Sequence, residues 1–192
     1  MADLFNTLPV AGLHYRADFI SESEHAELVA QLEATDLSPF RFHGWTGNRK
    51  TTTFGWRYDF DDASFAPADP IPDWLHPLRV KAAEFAKVAP DDFAHVLLAR
   101  YDPGAGIGWH RDRPQFDQVV GISLDSPAVM RFRQRTEGGF RRASVPLEPR
   151  SAYLLSGEVR TDWEHSIVPG ETLRFSITFR TLSERGLKLA AG

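Results

Sequence analysis

The spacing of apolar positions changes partway along this chain, from a helical period to a period of two. Gly12 to Ile20 reads as a short strand leading into Ser21-x-x-Glu24, which fits a capping box. Ala26, Val29 and Leu32 then recur at helical spacing and predict a helix over Glu22–Ala34. Between Phe40 and Phe60 the pattern is different. Gly44, Gly47 and Gly55 punctuate a run of Phe40, Phe42, Trp45, Phe54, Trp56, Tyr58 and Phe60, with Arg41, Arg49, Lys50 and Arg57 mixed among them. Thr51-Thr52-Thr53 favours strand, so this stretch predicts one or two aromatic hairpins. Asp61–Asp73, rich in Asp, Pro and Ala, reads as a loop. A second helix opens at Asp73, tolerates Pro77 in its first turn, buries Leu75, Leu78, Ala82 and Phe85, and ends near Val88.

From Phe93 onward short strands alternate with turns. The candidates are Phe93–Tyr101, Ile107–Asp112, Gln118–Leu124, Ala128–Arg133, Phe140–Val145, Ser151–Leu155, Trp163–Val168 and Thr172–Leu182. Asp102-Pro-Gly-Ala-Gly106, Asp125-Ser-Pro127, Glu137-Gly-Gly139 and Pro169-Gly-Glu171 read as turns. Strands after an α-rich N-terminal part predict an α+β fold. Its core is a double-stranded β-helix (jelly roll), with the N-terminal helices packed outside and an aromatic hairpin as lid. The expected organisation is a single domain over 1–192, in which 1–92 is the helical and lid part and 93–182 the jelly-roll core.

Composition narrows the chemistry. The absence of cysteine excludes disulfides, thiolate ligands and cysteine nucleophiles. No apolar stretch approaches the length of a membrane span, and Met1-Ala-Asp-Leu-Phe-Asn-Thr lacks the features of a signal peptide, so a cytoplasmic monomer without membrane contact is expected. The formal charge of −4 argues mildly against a nucleic-acid partner, although local basic clusters can still provide one.

Two stretches carry candidate chemistry. His110-x-Asp112 places an imidazole and a carboxylate on one face of a strand, and His165 can add a second imidazole from a distant strand. Two histidines and one carboxylate make a facial triad that leaves positions open on Fe(II). Zn(II) accepts the same donors. In Thr172–Arg180, Leu173, Phe175, Ile177 and Phe179 alternate with Thr172, Arg174, Ser176, Thr178 and Arg180. If that second face is interior, its two arginines need anionic partners, which a bound dicarboxylate would supply. His14, His43 and His76 lack matching carboxylate spacing, and His25 reads as a surface residue. His95, on the strand leading to Tyr101, can approach the site but is left out of the ligand set.

These motifs resemble the AlkB-type family of Fe(II)/2-oxoglutarate dioxygenases. The ordered set is Arg100-Tyr101-x-Pro-Gly-Ala, His110-x-Asp112, a distal histidine in Trp163-Glu-His-Ser-Ile, and Arg174-x5-Arg180. The resemblance implies that His110, Asp112 and His165 hold Fe(II) and that Tyr101, Arg174 and Arg180 bind 2-oxoglutarate. It further implies that Arg180 pairs the distal carboxylate, with Arg174 nearer the keto-acid end and the metal. The implied reaction consumes 2-oxoglutarate and O2, oxidises an N-alkyl carbon on a nucleic-acid base, and releases succinate, CO2 and an aldehyde. Two positions depart from the family pattern: Ala99 stands where Asn is common, and Arg113-Pro114 stands where a second acid often follows.

For an alkylated single- or double-stranded nucleic acid, the candidate substrate contacts are Trp45, Arg49, Phe54, Trp56 and Tyr58 in the aromatic segment, and Arg131 and Arg133 on one strand face. Two alternatives stay open: a hydroxylase or demethylase acting on a protein or small molecule, and a jelly-roll binding protein without catalysis.

Overall fold

The computed structural model describes residues 10–42, 45–58 and 64–191, with backbone alone for 40–42 and 45–47. The N-terminal stretch, His43, Gly44 and Phe60 lie outside the described residues, as do the side chains of Phe40, Phe42 and Trp45.

Strand β1 (Leu13–Arg16) leads to helix α1 (Glu22–Ala34), whose capping box forms as expected: the Ser21 hydroxyl accepts from the Glu24 N–H, and the Glu24 carboxylate accepts from the Ser21 N–H. The helix buries Leu28 and Leu32, while Ala26 faces solvent; the apolar stripe runs through the larger side chains. Strands β2 (Ser38–Phe42) and β3 (Trp45–Tyr58) form the expected hairpin. The stretch expected to be a loop contains a further strand, β4 (Phe65–Pro67), paired to the end of β3. Gly55, the last residue of β3 paired with β5 before Trp56 pairs with β4, takes φ +81°, and a Cβ there would collide with the Ala94 carbonyl. A 3-10 turn (Asp73–Leu75) precedes helix α2 (His76–Ala86), which stops at Lys87 in a left-handed conformation.

All eight expected strands follow: β5 (Phe93–Tyr101), β6 (Ile107–His110), β7 (Phe116–Asp125), β8 (Ala128–Thr136), β9 (Gly139–Leu147), β10 (Ala152–Leu155), β11 (Glu164–Ile167) and β12 (Arg174–Leu182). Two short helices, α3 (Glu158–Thr161) and α4 (Glu184–Ala190), have no strong periodic signal in the sequence. Among the described residues the large sheet runs β1-β10-β7-β12-β5-β3-β2, with β4 on β3, and the small sheet runs β6-β11-β8-β9.

Strand alternation sorts the core into two layers. Phe175, Ile177 and Phe179 of β12 join Leu28, Leu32, Leu75 and Leu78 beneath the helices. Each such side chain contributes about 1.5–3 kcal/mol by leaving water. Met130, Phe132, Leu155 and Trp163 fill the second layer with residues of both sheets. The polar face of β12 points into this inter-sheet space, so Arg174, Ser176 and Thr178 are buried. The expectation of interior arginines on β12 holds, and the helices lie on the opposite face of the large sheet.

Candidate metal and co-substrate site

Cross-strand register builds the floor of the site. Along β12, Arg174 lies opposite Tyr101, Ser176 opposite Ala99, and Arg180 opposite His95 of β5. On the other side Ser176 pairs with Ser123 of β7. After Tyr101 the chain turns through Asp102–Ala105, where the Ala105 N–H donates to the Asp102 carbonyl at 2.8 Å and Gly104 adopts φ +83°. This turn carries the chain from the large sheet into β6 of the small one, where His165 of β11 pairs with His110.

The two histidines and Asp112 converge, with one ligand-type atom of each within 4.8 Å of the others. Nε2 of His110 lies 3.6 Å and Nε2 of His165 4.0 Å from Oδ1 of Asp112. Asp112 sits just beyond the end of β6, so the loop after the strand, rather than strict alternation, aims its carboxylate. With its proton on Nδ1, His110 donates to the Gly108 carbonyl at 2.9 Å, which leaves its Nε2 lone pair facing the cluster.

The electrostatics suit a metal cation. Burial opposes ionisation of Asp112, but the Arg180 guanidinium and the two imidazoles outweigh it and hold the carboxyl well below its ordinary range. Burial, reinforced by His110, pulls His165 down to about 3. His165 is therefore neutral at pH 7, so its contact with Asp112 is a dipolar one and its lone pair is available. Two imidazoles and one carboxylate are the donor set that Fe(II) oxygenases use, and the residues present fit that ion.

The two arginines of β12 occupy different ends of this floor. Arg180 donates from Nε to Oδ2 of Asp112 at 2.9 Å and lies 3.4 Å from Nδ1 of His95. Arg174 donates to the Ser123 hydroxyl at 3.2 Å, and its guanidinium lies 4.7 Å from the centre of the Tyr101 ring. A narrow pocket lined by Tyr101, Ala105, Ile167, Thr172 and Arg174 opens there. The order along β12 differs from the expected one, in which Arg174 is the arginine nearer the metal: Arg180 stands at the metal cluster, while Arg174, with Tyr101, stands at the far end. Arg49 lies opposite Tyr101 on β3. Burial raises the Tyr101 phenol, but Arg49 and Arg174 outweigh it and bring it below its ordinary value.

The aromatic segment divides. Phe54 pairs with Val96 of β5 and packs against the helix-side core, so it is not part of a base clamp. Trp56 stacks on Phe65 at 5.0 Å, Phe65 meets Phe116 edge-on at 5.9 Å, and Phe116 lies 4.6 Å from His95, which brings this aromatic chain to the site. Tyr58 lies under the Arg113 guanidinium at 4.6 Å. Arg131 and Arg133 lie on the face of the small sheet opposite His165, because Phe132, between them, is the residue paired with His165.

His95, Phe116, Ser123 and Tyr153 are site neighbours that the sequence reading missed or set aside. Parity offered one signal: His95 stands six residues before Tyr101 on the same strand and so shares its face. Burial between Arg180 and Phe116 keeps His95 neutral, its basicity well below the ordinary range. Tyr153, also buried within the inter-sheet layer, has its phenol pushed up to about 12 by burial.

Comparison with known proteins identifies the class that this fold and site define. A family described as the 2OG-Fe(II) oxygenase superfamily matches residues 12–180, and the chain belongs to it. Within that superfamily it is of AlkB type, an Fe(II)/2-oxoglutarate-dependent dioxygenase. It is 30% identical over 158 residues to the alpha-ketoglutarate-dependent dioxygenase AlkB of Salmonella typhimurium, covering 68% of each chain. It is 27% identical over 199 residues to mouse tRNA (carboxymethyluridine(34)-5-O)-methyltransferase ALKBH8; that alignment takes in 92% of this chain and spans 29% of the mouse protein. The solved structure of OsALKBH1 shares the fold, with a TM-score of 0.65 at 15% identity over 88% of this chain and 96% of the other.

Proposed function

We propose that this chain is an oxidative dealkylase of N-alkylated nucleic-acid bases that consumes 2-oxoglutarate and O2 and releases succinate, CO2 and an aldehyde. The observation that carries this reading is the pairing of ends on one floor. His110, Asp112 and His165 converge at the Arg180 end, and Tyr101 and Arg174 face a narrow pocket at the other. Likeness to AlkB of Salmonella supports the alkyl chemistry, and the mouse relative, whose name places it on tRNA, supports a nucleic-acid substrate.

In this reading His110, Asp112 and His165 hold Fe(II). Bound Fe(II) supplies the activation of O2. Arg174 and the Tyr101 hydroxyl bind the distal carboxylate of 2-oxoglutarate, the bidentate guanidinium fixing its direction. Arg180 keeps Asp112 ionised and oriented. The Trp56–Phe65–Phe116 chain screens the approach from water and offers aromatic faces to an unstacked base. In overall balance, an N-methyl C–H becomes C–OH with one oxygen atom of O2, the other oxygen enters succinate, and the C–N bond then breaks. Formaldehyde leaves, and a proton returns to the base nitrogen.

The test is parallel measurement of succinate and formaldehyde from Fe(II)-loaded protein given single- and double-stranded oligonucleotides bearing N-methylated bases, with His165→Ala alongside. Equal amounts of both products, appearing only with a methylated strand and absent in the variant, are expected. Succinate without formaldehyde on every methylated strand overturns the nucleic-acid reading and points to a protein or small-molecule substrate.

A further inference from the structure

The outer face of the small sheet, turned away from the metal cluster, carries a feature that the catalytic reading does not use. Its four strands, β6, β11, β8 and β9, contain a single acidic residue, Glu164, although the whole chain has a net charge of −4. Register places Arg131, Arg133 and Arg135 of β8 on this face, with Arg133 opposite Arg142 and Arg135 opposite Phe140 of β9. The arginines are interleaved with aromatic rings. Arg131 and Arg133 lie 5.2 and 4.5 Å from the Trp109 ring, and Arg133, Arg142 and Arg135 lie 4.8, 5.5 and 6.0 Å from Phe140. Phe140 is 37% exposed, a high value for a phenylalanine on a sheet. Arg133 is committed to Glu164, with Nε–Oε2 at 2.6 Å, and Arg131 donates to the Ser166 hydroxyl at 3.1 Å. Arg135 and Arg142 remain in solvent beside Phe140.

We propose that this face is a docking track for single-stranded nucleic acid, by which the strand carrying the target base is held outside the catalytic mouth. The inference rests on the dealkylase reading for its purpose and on charge complementarity for its content. Four arginines against one carboxylate form a cationic patch on an otherwise acidic protein, and phosphates complement it. The choice of single strand over duplex follows from shape. A flat sheet face that presents guanidinium planes and an exposed ring stacks unpaired bases, whereas a duplex hides its base faces. Trp109 ties the track to the site, because it precedes His110 on β6 and alternation sends the two side chains to opposite faces of that edge strand. A strand crossing the β6 edge therefore passes from the track to the metal cluster.

The test uses anaerobic Fe(II)-loaded protein and a fluorescent, unmodified single-stranded 20-mer, with affinity measured across a salt series. The Arg135→Gln/Arg142→Gln double variant is expected to bind at least about tenfold more weakly. Its log–log salt slope should fall by about 1.4, since each lost phosphate contact on a single strand removes about 0.7. Phe140→Ala is expected to weaken binding about fivefold or more with the slope unchanged, because stacking releases no counterions. All three residues are exposed, so melting temperatures near wild type verify folding. Turnover separates the track from the chemistry. A methylated mononucleoside, which has no phosphate for the track to hold, should be processed equally by wild type and double variant, while KM for a methylated 20-mer rises. Wild-type affinity and slope in the double variant overturn the track and leave the dealkylase standing. Arginine-dependent binding of the 20-mer, with no methylated nucleic acid of any length turned over, keeps the track and sinks the dealkylase.

Discussion

Replacing Arg180 by Gln should destabilise the metal-free protein far more than the metal-loaded one. Arg180 and Asp112 are both nearly enclosed, with side chains 12% and 7% exposed, and their hydrogen bond is 2.9 Å long. Removing one partner of such a pair leaves an uncompensated buried charge and costs about 3–5 kcal/mol. At about 2–4 °C per kcal/mol for a chain of this length, the melting temperature of the metal-free variant should fall by about 6–20 °C. A divalent cation on Asp112 compensates the same carboxylate, so the gap should shrink by more than half in metal-loaded protein. The pH dependence has a definite sign. Arg180 lowers the Asp112 pKa, so the stability it contributes is present above the ordinary carboxylate range and is lost as pH falls through the depressed value. Without Arg180 the carboxyl takes up its proton at higher pH, which relieves the variant first; the difference between the proteins narrows on acidification. Urea unfolding of both proteins, with and without metal, from pH 8 to pH 4 measures all of this. A metal-free loss below about 1 kcal/mol at pH 7, or a gap that widens toward pH 4, would refute the reasoning.

Arg174→Gln should raise KM for 2-oxoglutarate by at least about 10-fold, since even one bond of the charge-assisted pair is worth about 1.5–3 kcal/mol, while the folded protein still binds metal. Steady-state kinetics check it, and an unchanged KM would contradict the distal role. His165, neutral in the fold with a pKa of about 3 against about 6.5 when unfolded, takes up its proton only on unfolding between those values. Metal-free protein should therefore lose stability as pH falls from about 6.5, and His165→Phe should flatten that slope in urea titrations. Trp163, 1% exposed between the sheets, should cost about 3–5 kcal/mol when cut to Ala, read as a lower urea midpoint. Ser21→Ala should cost about 1 kcal/mol by removing the cap of α1.

The strand-rich half was legible because period-two alternation and Gly/Pro turns mark each strand independently, and the triad was legible because both histidines sit on such strands and Asp112 follows His110 by two residues. What alternation cannot convey is which end of β12 meets the metal. It fixes the face that Arg174 and Arg180 share, but the loop carrying Asp112 chooses between them, and that choice is tertiary. Phe54 shows the same limit. Among aromatic neighbours it looked like a clamp residue, yet pairing with Val96 turns it into the core. Strand β4 escaped notice because Phe65-Ala-Pro67 is short and ends in proline, so only its pairing with β3 makes it a strand. His95 was visible by parity with Tyr101 but had no carboxylate to mark it.

The most direct measurement is calorimetric binding of 2-oxoglutarate to protein loaded with redox-silent Mn(II), with metal-free protein, Asp112→Ala and Arg174→Gln as comparisons. Binding that requires the metal, disappears in Asp112→Ala and weakens at least about tenfold in Arg174→Gln is the predicted result. Equal binding with and without metal, or an Arg174→Gln protein that binds as wild type does, would contradict a site built from these two ends.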